Sequence, residues 1–476
     1  MQVICYNPAG YDMFSFNSGA GKNQDINKLS GAWACLVLLI SFGLIAALSQ
    51  MFRYYDVGHQ WVRTVLLIAL GIVCAGFARY IKSRRMDISP SAKYTLIVYA
   101  LLIAVSFIAV RGFIRNVNNA GRNGYVISDQ GQTVARSIIL LREGIDPYGR
   151  NVVSEPTAYV YLYNLLKAMP SCEILQDGIA APLPPRDYWL NFPPQFDMGM
   201  LVPVISTNSS CAPLYKAAHS LGIKYGPAML FVYAPFYFIF GVNGILICNA
   251  VFLAALCVVL WYGVWKITRS FFASGLSLLP VLLPSHPRWD VLDKGHTDII
   301  PTLFLVLFLF SWIRGKTWRS ALFLGLSLSA KAVPALLFVP FLFKKPKSIL
   351  LFAAVALAVY GPFFIWDPVG IWNDLSFPFT YTSVPTSIAS LLPPYIMTIL
   401  RLIAVAMALI VLKKAWGTGS EQRGYLNYML IIVLAALMLG AQFDNNYITF
   451  LLPILSFYLI MSMAPSLNPG QPELTG

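Results

Sequence analysis

Apolar runs of roughly 16–23 residues recur along this chain, and Lys or Arg returns again and again at their ends. A helix that crosses the hydrocarbon core of a bilayer needs about 20 such residues, because nothing there satisfies an open backbone. The composition agrees. Of 476 residues, 58% are hydrophobic and only 11% charged, against roughly 25% charged in soluble domains. The chain therefore reads as an all-α polytopic membrane protein. Its net charge of +14 does not point to nucleic acid. The basic residues sit in short clusters between apolar runs, where the positive-inside rule places them, and no basic domain is present. The first thirty residues are polar, with Asn, Gly and Ser, so no cleavable leader is expected.

Window hydropathy predicts spans over about 31–50, 61–80, 94–112, 243–265, 270–285, 298–313, 348–366, 390–412, 425–441 and 446–463. The segment Arg79-Tyr80-Ile81-Lys82-Ser83-Arg84-Arg85 is strongly basic and is placed in the cytoplasm. The third span then runs outward, and residues 113–224 form a large outer loop. Lys266, Arg269, Arg314, Lys316, Arg319, Lys344, Lys345, Lys347, Lys413, Lys414 and Arg423 all fall inside on this scheme. The acids agree independently. Of the 20 Asp and Glu, only Asp12, Asp25, Asp87, Glu421 and Glu473 fall on the cytoplasmic side, and all four histidines fall outside. Titratable chemistry is thus concentrated on the extracytoplasmic face.

Residues 319–343 are apolar but carry basic clusters at both ends. One helix cannot start and finish on the same face. Two half-helices of about 12 residues rise only about 18 Å each, which does not cross the bilayer. The segment is predicted to be a re-entrant hairpin with Ser329-Ala330-Lys331-Ala332-Val333-Pro334 at its tip, where Pro334 breaks the helix. Lys331 then lies within membrane depth. The alternative is that one flank is wrongly placed. The apolar run from Tyr225-Gly226-Pro227 to Phe240 is predicted to be a juxtamembrane helix, because a full span there would invert every later loop.

The outer loop opens with Val126-Ile127-Ser128-Asp129-Gln130. A helix is expected next, lying along the membrane surface, with Val134, Ile138 and Leu141 on one face and Arg136 and Arg142 away from it. Then come Glu143-Gly144-Ile145-Asp146-Pro147-Tyr148-Gly149 and a stretch dominated by Pro and aromatic residues, which suits a lid or an interfacial belt equally. Asp146 and Glu155 each precede a proline, which fits turns. Cys172 and Cys211 are the cysteines of this loop. An outer compartment permits a disulfide between them, and that pairing is predicted; two unpaired buried thiols are the alternative.

Two further positions stand out. The short outer loop 286–298 gathers His286, Asp290, Asp293, Lys294, His296 and Asp298. Its spacing fits no standard zinc signature, so no metal is expected, and the mixture of donors and acceptors suits sugar hydroxyls. Arg401 stands inside an apolar helix, where a charge is costly and marks a functional candidate. A phosphate clamp is one reading, since guanidinium pairs with phosphate bidentately; snorkelling to the interface is the other.

Taken together these elements resemble the GT-C superfamily of membrane glycosyltransferases that use polyprenyl-phosphate sugars, and within it the phosphoinositol and GPI mannosyltransferase branch. The resemblance rests on Asp129 after an outward span, on Glu143–Gly149 after a helix, on Lys294-Gly295-His296-Thr297-Asp298 opening a span, and on Gly325–Pro334. It departs from the family in two places: two spans precede the one that feeds Asp129, and a long stretch separates Tyr148 from Tyr225. It implies a bundle of about 10–12 transmembrane helices with a large catalytic outer loop. It divides the chain into a tail with two extra spans (1–93), a GT-C-like module (94–463) and a short cytoplasmic tail (464–476).

The resemblance further implies an inverting hexosyltransferase with Asp129 as general base. Arg401, Lys331 and Arg136 are the cations for the donor phosphate, and Tyr148, Lys294, His296, Asp298 and Tyr225 the substrate contacts. No cofactor and no metal are implied. The expected partners are the polyprenyl-phosphate sugar, a lipid-linked or glycan acceptor and membrane lipids. Mannose is the favoured sugar, with glucose, arabinofuranose and aminoarabinose open. The expected place is a bacterial inner membrane, with the site facing the periplasm. A lipid-linked glycan ligase or polymerase is the nearer alternative and a lipid or oligosaccharide transporter the further one.

Overall fold

A computed structural model describes residues 92–123, 129–148, 174–176, 179–181, 204–205, 223, 225–282, 291–292, 295–342, 346–380, 393–417 and 453–454. The expected spans 31–50, 61–80 and 425–441 lie outside the described residues, as does 446–463 apart from 453–454, and so do Cys172, Cys211, Lys294 and Glu155. The described chain is overwhelmingly helical. Three helices are long and apolar enough to cross a bilayer: Tyr94–Asn118, Asn243–Thr268 and Lys347–Trp366. The protein is an all-α polytopic membrane protein.

The helices follow in order. α1 is Ala92–Asn123 and α2 is Asp129–Arg142. α3 is Pro227–Phe240, α4 Asn243–Thr268 and α5 Phe271–Leu282. α6 is Ile299–Ile313, α7 Thr317–Ala330 and α8 Ala332–Leu336, followed by a 3₁₀ turn at Val339–Leu342. α9 is Pro346–Trp366, α10 Pro368–Thr380 and α11 Pro394–Gly417. One exception interrupts the helices. β1 Ile174–Gln176, β2 Ile179–Ala181 and β3 Val204–Ile205 pair antiparallel in the order β2-β1-β3. The Pro-rich sequence of this stretch gave no sign of strands, because such short pairings leave no alternating run to read.

α1 continues eleven residues past the expected end at 112, through Arg115 to Asn123. A helix does not have to stop where the bilayer does, since its hydrogen bonds are internal. α2 differs from the surface helix expected of it. Val134 and Ile138 are buried as foreseen, yet Gln130, Thr133, Ala135, Ser137 and Leu140 are buried too. It is a helix packed against the bundle on more than its apolar face. Its polar side chains are tolerated because they find partners; the Ser137 hydroxyl, for example, donates to the Thr133 carbonyl at 2.8 Å.

The chain over 317–342 is a helical hairpin. The Ser327 hydroxyl donates to the Pro301 carbonyl at 3.0 Å, so α7 runs back along α6 and ends beside Asp298. Beyond Lys331 the path reverses. Phe338 packs on Phe308 (6.1 Å between ring centres), and Phe341 packs on Trp312 (5.0 Å) at the far end of α6. α9 then rises alongside α7 in the same sense, with the Tyr360 hydroxyl donating to the Leu328 carbonyl at 2.9 Å. The 14 residues of α7 rise about 21 Å.

The reversal has a local cause. Pro334 has no N–H, so the helical bond to the Ala330 carbonyl cannot form there. Lys331 accordingly takes an extended backbone, φ −150° and ψ 116°. The carbonyl freed at Ala330 is taken by the Gly226 N–H at 2.9 Å. This fixes the start of α3. Gly226 is the residue that permits it, because a Cβ there would sit on the Ser329 carbonyl oxygen and the Tyr360 hydroxyl. α3 thus begins at the hairpin tip and ends at Gly241, next to the start of α4.

The main core lies where α2, α3, α4, α6, α7 and α9 converge, around Ile138, Leu230, Tyr233, Leu256, Phe308, Leu324 and Phe338. A smaller core joins α1 to α5 through Val98, Leu102, Phe272, Leu276 and Leu279.

Candidate active site

The hairpin tip delivers Lys331 to Asp298. The Lys331 ammonium pairs with Asp298 Oδ1, and the two side chains are 15% and 4% exposed. The Tyr225 ring lies against the same ammonium, 5.8 Å from its centre, a cation–π contact. Asp298 occupies the N-cap position of α6 with helical backbone, φ −67° and ψ −11°. There its charge also meets the positive end of the helix dipole. A buried pair of this kind is held by geometry on every side rather than by attraction alone.

The loop that precedes Asp298 is held just as firmly. Gly295 turns it with a φ of 72°, a conformation that a side chain resists. Asn249 of α4 is fully buried, and its Nδ2 donates to the His296 carbonyl at 3.0 Å and to the Val291 carbonyl at 2.9 Å. Asn249 Oδ1 in turn accepts from the Tyr233 hydroxyl. On the other side, Gln130 Oε1 accepts the Thr297 N–H at 3.1 Å and the Thr297 hydroxyl at 3.3 Å. His296 is buried, and its Nδ1 has no hydrogen-bond partner among the described residues; the same holds for Asp298 Oδ2.

Asp129 is the first residue of α2 and directly precedes Gln130. The backbone therefore brings it to the 295–298 loop, although its carboxylate lies outside the described side chains. Arg136 is half-buried on α2, and together with Arg142 it exerts a positive field on Tyr237 of α3. Arg401 is exposed on α11.

Tyr148 and Tyr225 meet each other. The Tyr148 phenol donates to the Tyr225 carbonyl at 2.8 Å, and its ring meets Phe363 edge-on at 5.4 Å. Only 1% of Tyr148 is exposed. Burial pushes its phenol well above the usual value, with the nearby Tyr360, Asp374 and Asp146 adding to the effect. Asp146 Oδ1 accepts the Tyr148 N–H at 2.9 Å across Pro147, an Asx turn, as its position before a proline suggests. Asp374 of α10 is 1% exposed and lies in the same neighbourhood.

The structure thus unites Lys331, Asp298, His296 and Tyr225, with the backbone of Asp129 beside them. Sequence reasoning passed over Gln130, Asn249 and Asp374. For Asn249 a signal existed, since a lone amide within an apolar helix is costly without partners. For Gln130 there was none.

The fold and the site define a helical membrane protein whose buried, charged centre lies at the tip of a helical hairpin. Residues 224–441 match the model of Glycosyltransferase family 87, a membrane glycosyltransferase family of the GT-C type. The match supports glycosyl transfer as the chemistry of this membrane protein. It takes in Tyr225, His296, Asp298, Lys331 and Arg401, and begins after Asp129, Arg136 and Tyr148. No curated protein and no solved structure matches the chain.

Proposed function

We propose that the protein is an inverting glycosyltransferase that moves a sugar, mannose by preference, from a polyprenyl-phosphate donor to a lipid-linked or glycan acceptor at the extracytoplasmic membrane face. The observation that carries this reading is the meeting of three elements at one place. The hairpin tip with Lys331, the buried loop 295–298 and the start of α2, where Asp129 stands, are distant in sequence and joined by the Lys331–Asp298 pair and the Gln130–Thr297 bonds. The family match over 224–441 agrees with it.

The chemistry follows from these parts. An acceptor hydroxyl attacks C1 of the donor sugar from the face opposite the phosphate. Asp129 takes the hydroxyl proton as the new C–O bond forms. The C1–O bond to phosphate breaks, and polyprenyl phosphate leaves with the electron pair. The sugar passes through an oxocarbenium-like state. A single carboxylate acting as base, with no second one as nucleophile, gives inversion. Lys331 is the cation in the centre for the growing phosphate charge, with Arg136 and Arg401 in lesser shares. Asp298 Oδ2 and His296 Nδ1, buried and without described partners, suit sugar hydroxyls.

The test is direct. Purified protein in detergent or liposomes is given synthetic polyprenyl-phosphate mannose and a panel of acceptors, and release of polyprenyl phosphate is followed. Release with transfer of the sugar supports the reading. Turnover only with polyprenyl diphosphate donors would replace it with a glycan ligase or polymerase. Movement of lipid across a bilayer without bond cleavage would replace it with a transporter.

A further inference from the structure

We infer that Gln130 is a positioning residue, whose side-chain amide sets the start of α2, and Asp129 with it, in register with the loop that holds Lys331. The inference rests on the reading of Asp129 as the base.

Gln130 and Thr297 are 167 residues apart and both buried. One oxygen, Gln130 Oε1, accepts both the backbone N–H and the hydroxyl of Thr297. The partner loop is anchored independently of α2. Asn249 holds it through the His296 and Val291 carbonyls. Asp298 holds it through Lys331, and the Ser327 hydroxyl holds the first turn of α6 through Pro301. Gln130 therefore ties α2 to a fixed object. Asp129 is the adjacent residue, its Cα about 3.8 Å away along the backbone. A base displaced by about 1 Å loses on the order of a hundredfold in rate, so the register of this one bond matters to the reaction although Gln130 touches no substrate.

A merely structural glutamine would behave differently from a positioning one. Gln130→Ala removes the acceptor. Gln130→Glu keeps an oxygen in the same place for the Thr297 N–H and hydroxyl. With polyprenyl-phosphate mannose as donor, Gln130→Ala is expected to lower kcat on the order of a hundredfold while the donor KM stays within about twofold. Gln130→Glu is expected to regain most of that loss. Amide exchange at Thr297 reports the bond itself and should quicken in Gln130→Ala but not in Gln130→Glu. If Gln130→Ala fails to fold, Gln130→Glu decides, and a Glu variant as slow as a base-less enzyme overturns the inference. Gln130→Ala with wild-type kcat overturns it as well, as does a loss confined to donor KM. The underlying reading fails separately. An Asp129→Asn enzyme with full turnover, or a wild-type enzyme that releases no polyprenyl phosphate, removes the base and the positioning role together. An inactive Asp129→Asn beside a fully active Gln130→Ala removes only the latter.

Discussion

Lys331 and Asp298, 33 residues apart, form a buried ion pair at the point where α7 ends and α6 begins. Each is placed there by a backbone event. Pro334 stops the helix and turns Lys331 into an extended conformation. Asp298 caps the opposite helix from a loop turned by Gly295.

Breaking this pair from one side should harm folding more than removing it whole. Lys331→Met or Asp298→Asn alone leaves a group buried without its partner, a loss of about 3–5 kcal/mol. The double variant Lys331→Met with Asp298→Leu is expected to recover much of that loss in unfolding temperature while remaining without turnover. Single variants that unfold like wild type would mean that the pair contributes nothing to stability.

Asp129→Asn keeps the size but removes the basicity. It should bind donor normally and lose roughly 10²–10⁴-fold in kcat, the range general-base catalysis supplies. Donor affinity and single-turnover rate, measured together, check this. A fall in affinity with an unchanged rate would move Asp129 from base to binding residue.

Gly226→Ala should separate α3 from the hairpin tip. The added Cβ falls on the Ser329 carbonyl and the Tyr360 hydroxyl, and the bond from Gly226 N–H to the Ala330 carbonyl must lengthen. Overpacking of this kind costs about 1–3 kcal/mol. Thermal unfolding in detergent is the measurement, and an unchanged midpoint would show that the tip gives way freely.

Tyr148→Phe removes the hydroxyl that donates to the Tyr225 carbonyl, a hydrogen bond whose loss costs about 0.5–1.5 kcal/mol. It should also change the response to alkali. Burial raises the Tyr148 phenol in the folded state, whereas the unfolded chain ionises it near about 10. The stability linked to this proton is present below that pH and lost as pH rises beyond it. The Phe variant should therefore lose less stability between neutral and strongly alkaline pH than wild type does. Parallel curves for the two proteins would place the alkaline sensitivity elsewhere.

Much of the architecture was legible in the sequence because it depends on local properties. A window of apolar residues marks a span wherever the chain takes it, and the expected 243–265 and 348–366 appear as Asn243–Thr268 and Lys347–Trp366. The hairpin was legible for the same kind of reason, since charge at both flanks and a proline near the middle act through the segment's own backbone. The Asx turn at Asp146 belongs with these. What only the tertiary structure decided is partnership. Gln130 with Thr297, Asn249 with the 291–296 backbone, and Gly226 with Ala330 join segments far apart in sequence. Nothing in a glutamine's neighbours says which distant amide it will meet. The burial of α2 was missed for this reason: its polar residues look solvent-facing until neighbouring helices supply their hydrogen bonds. Hydropathy sorts chain between lipid and water, but polar groups inside the bundle are paid for only by partners that packing brings to them.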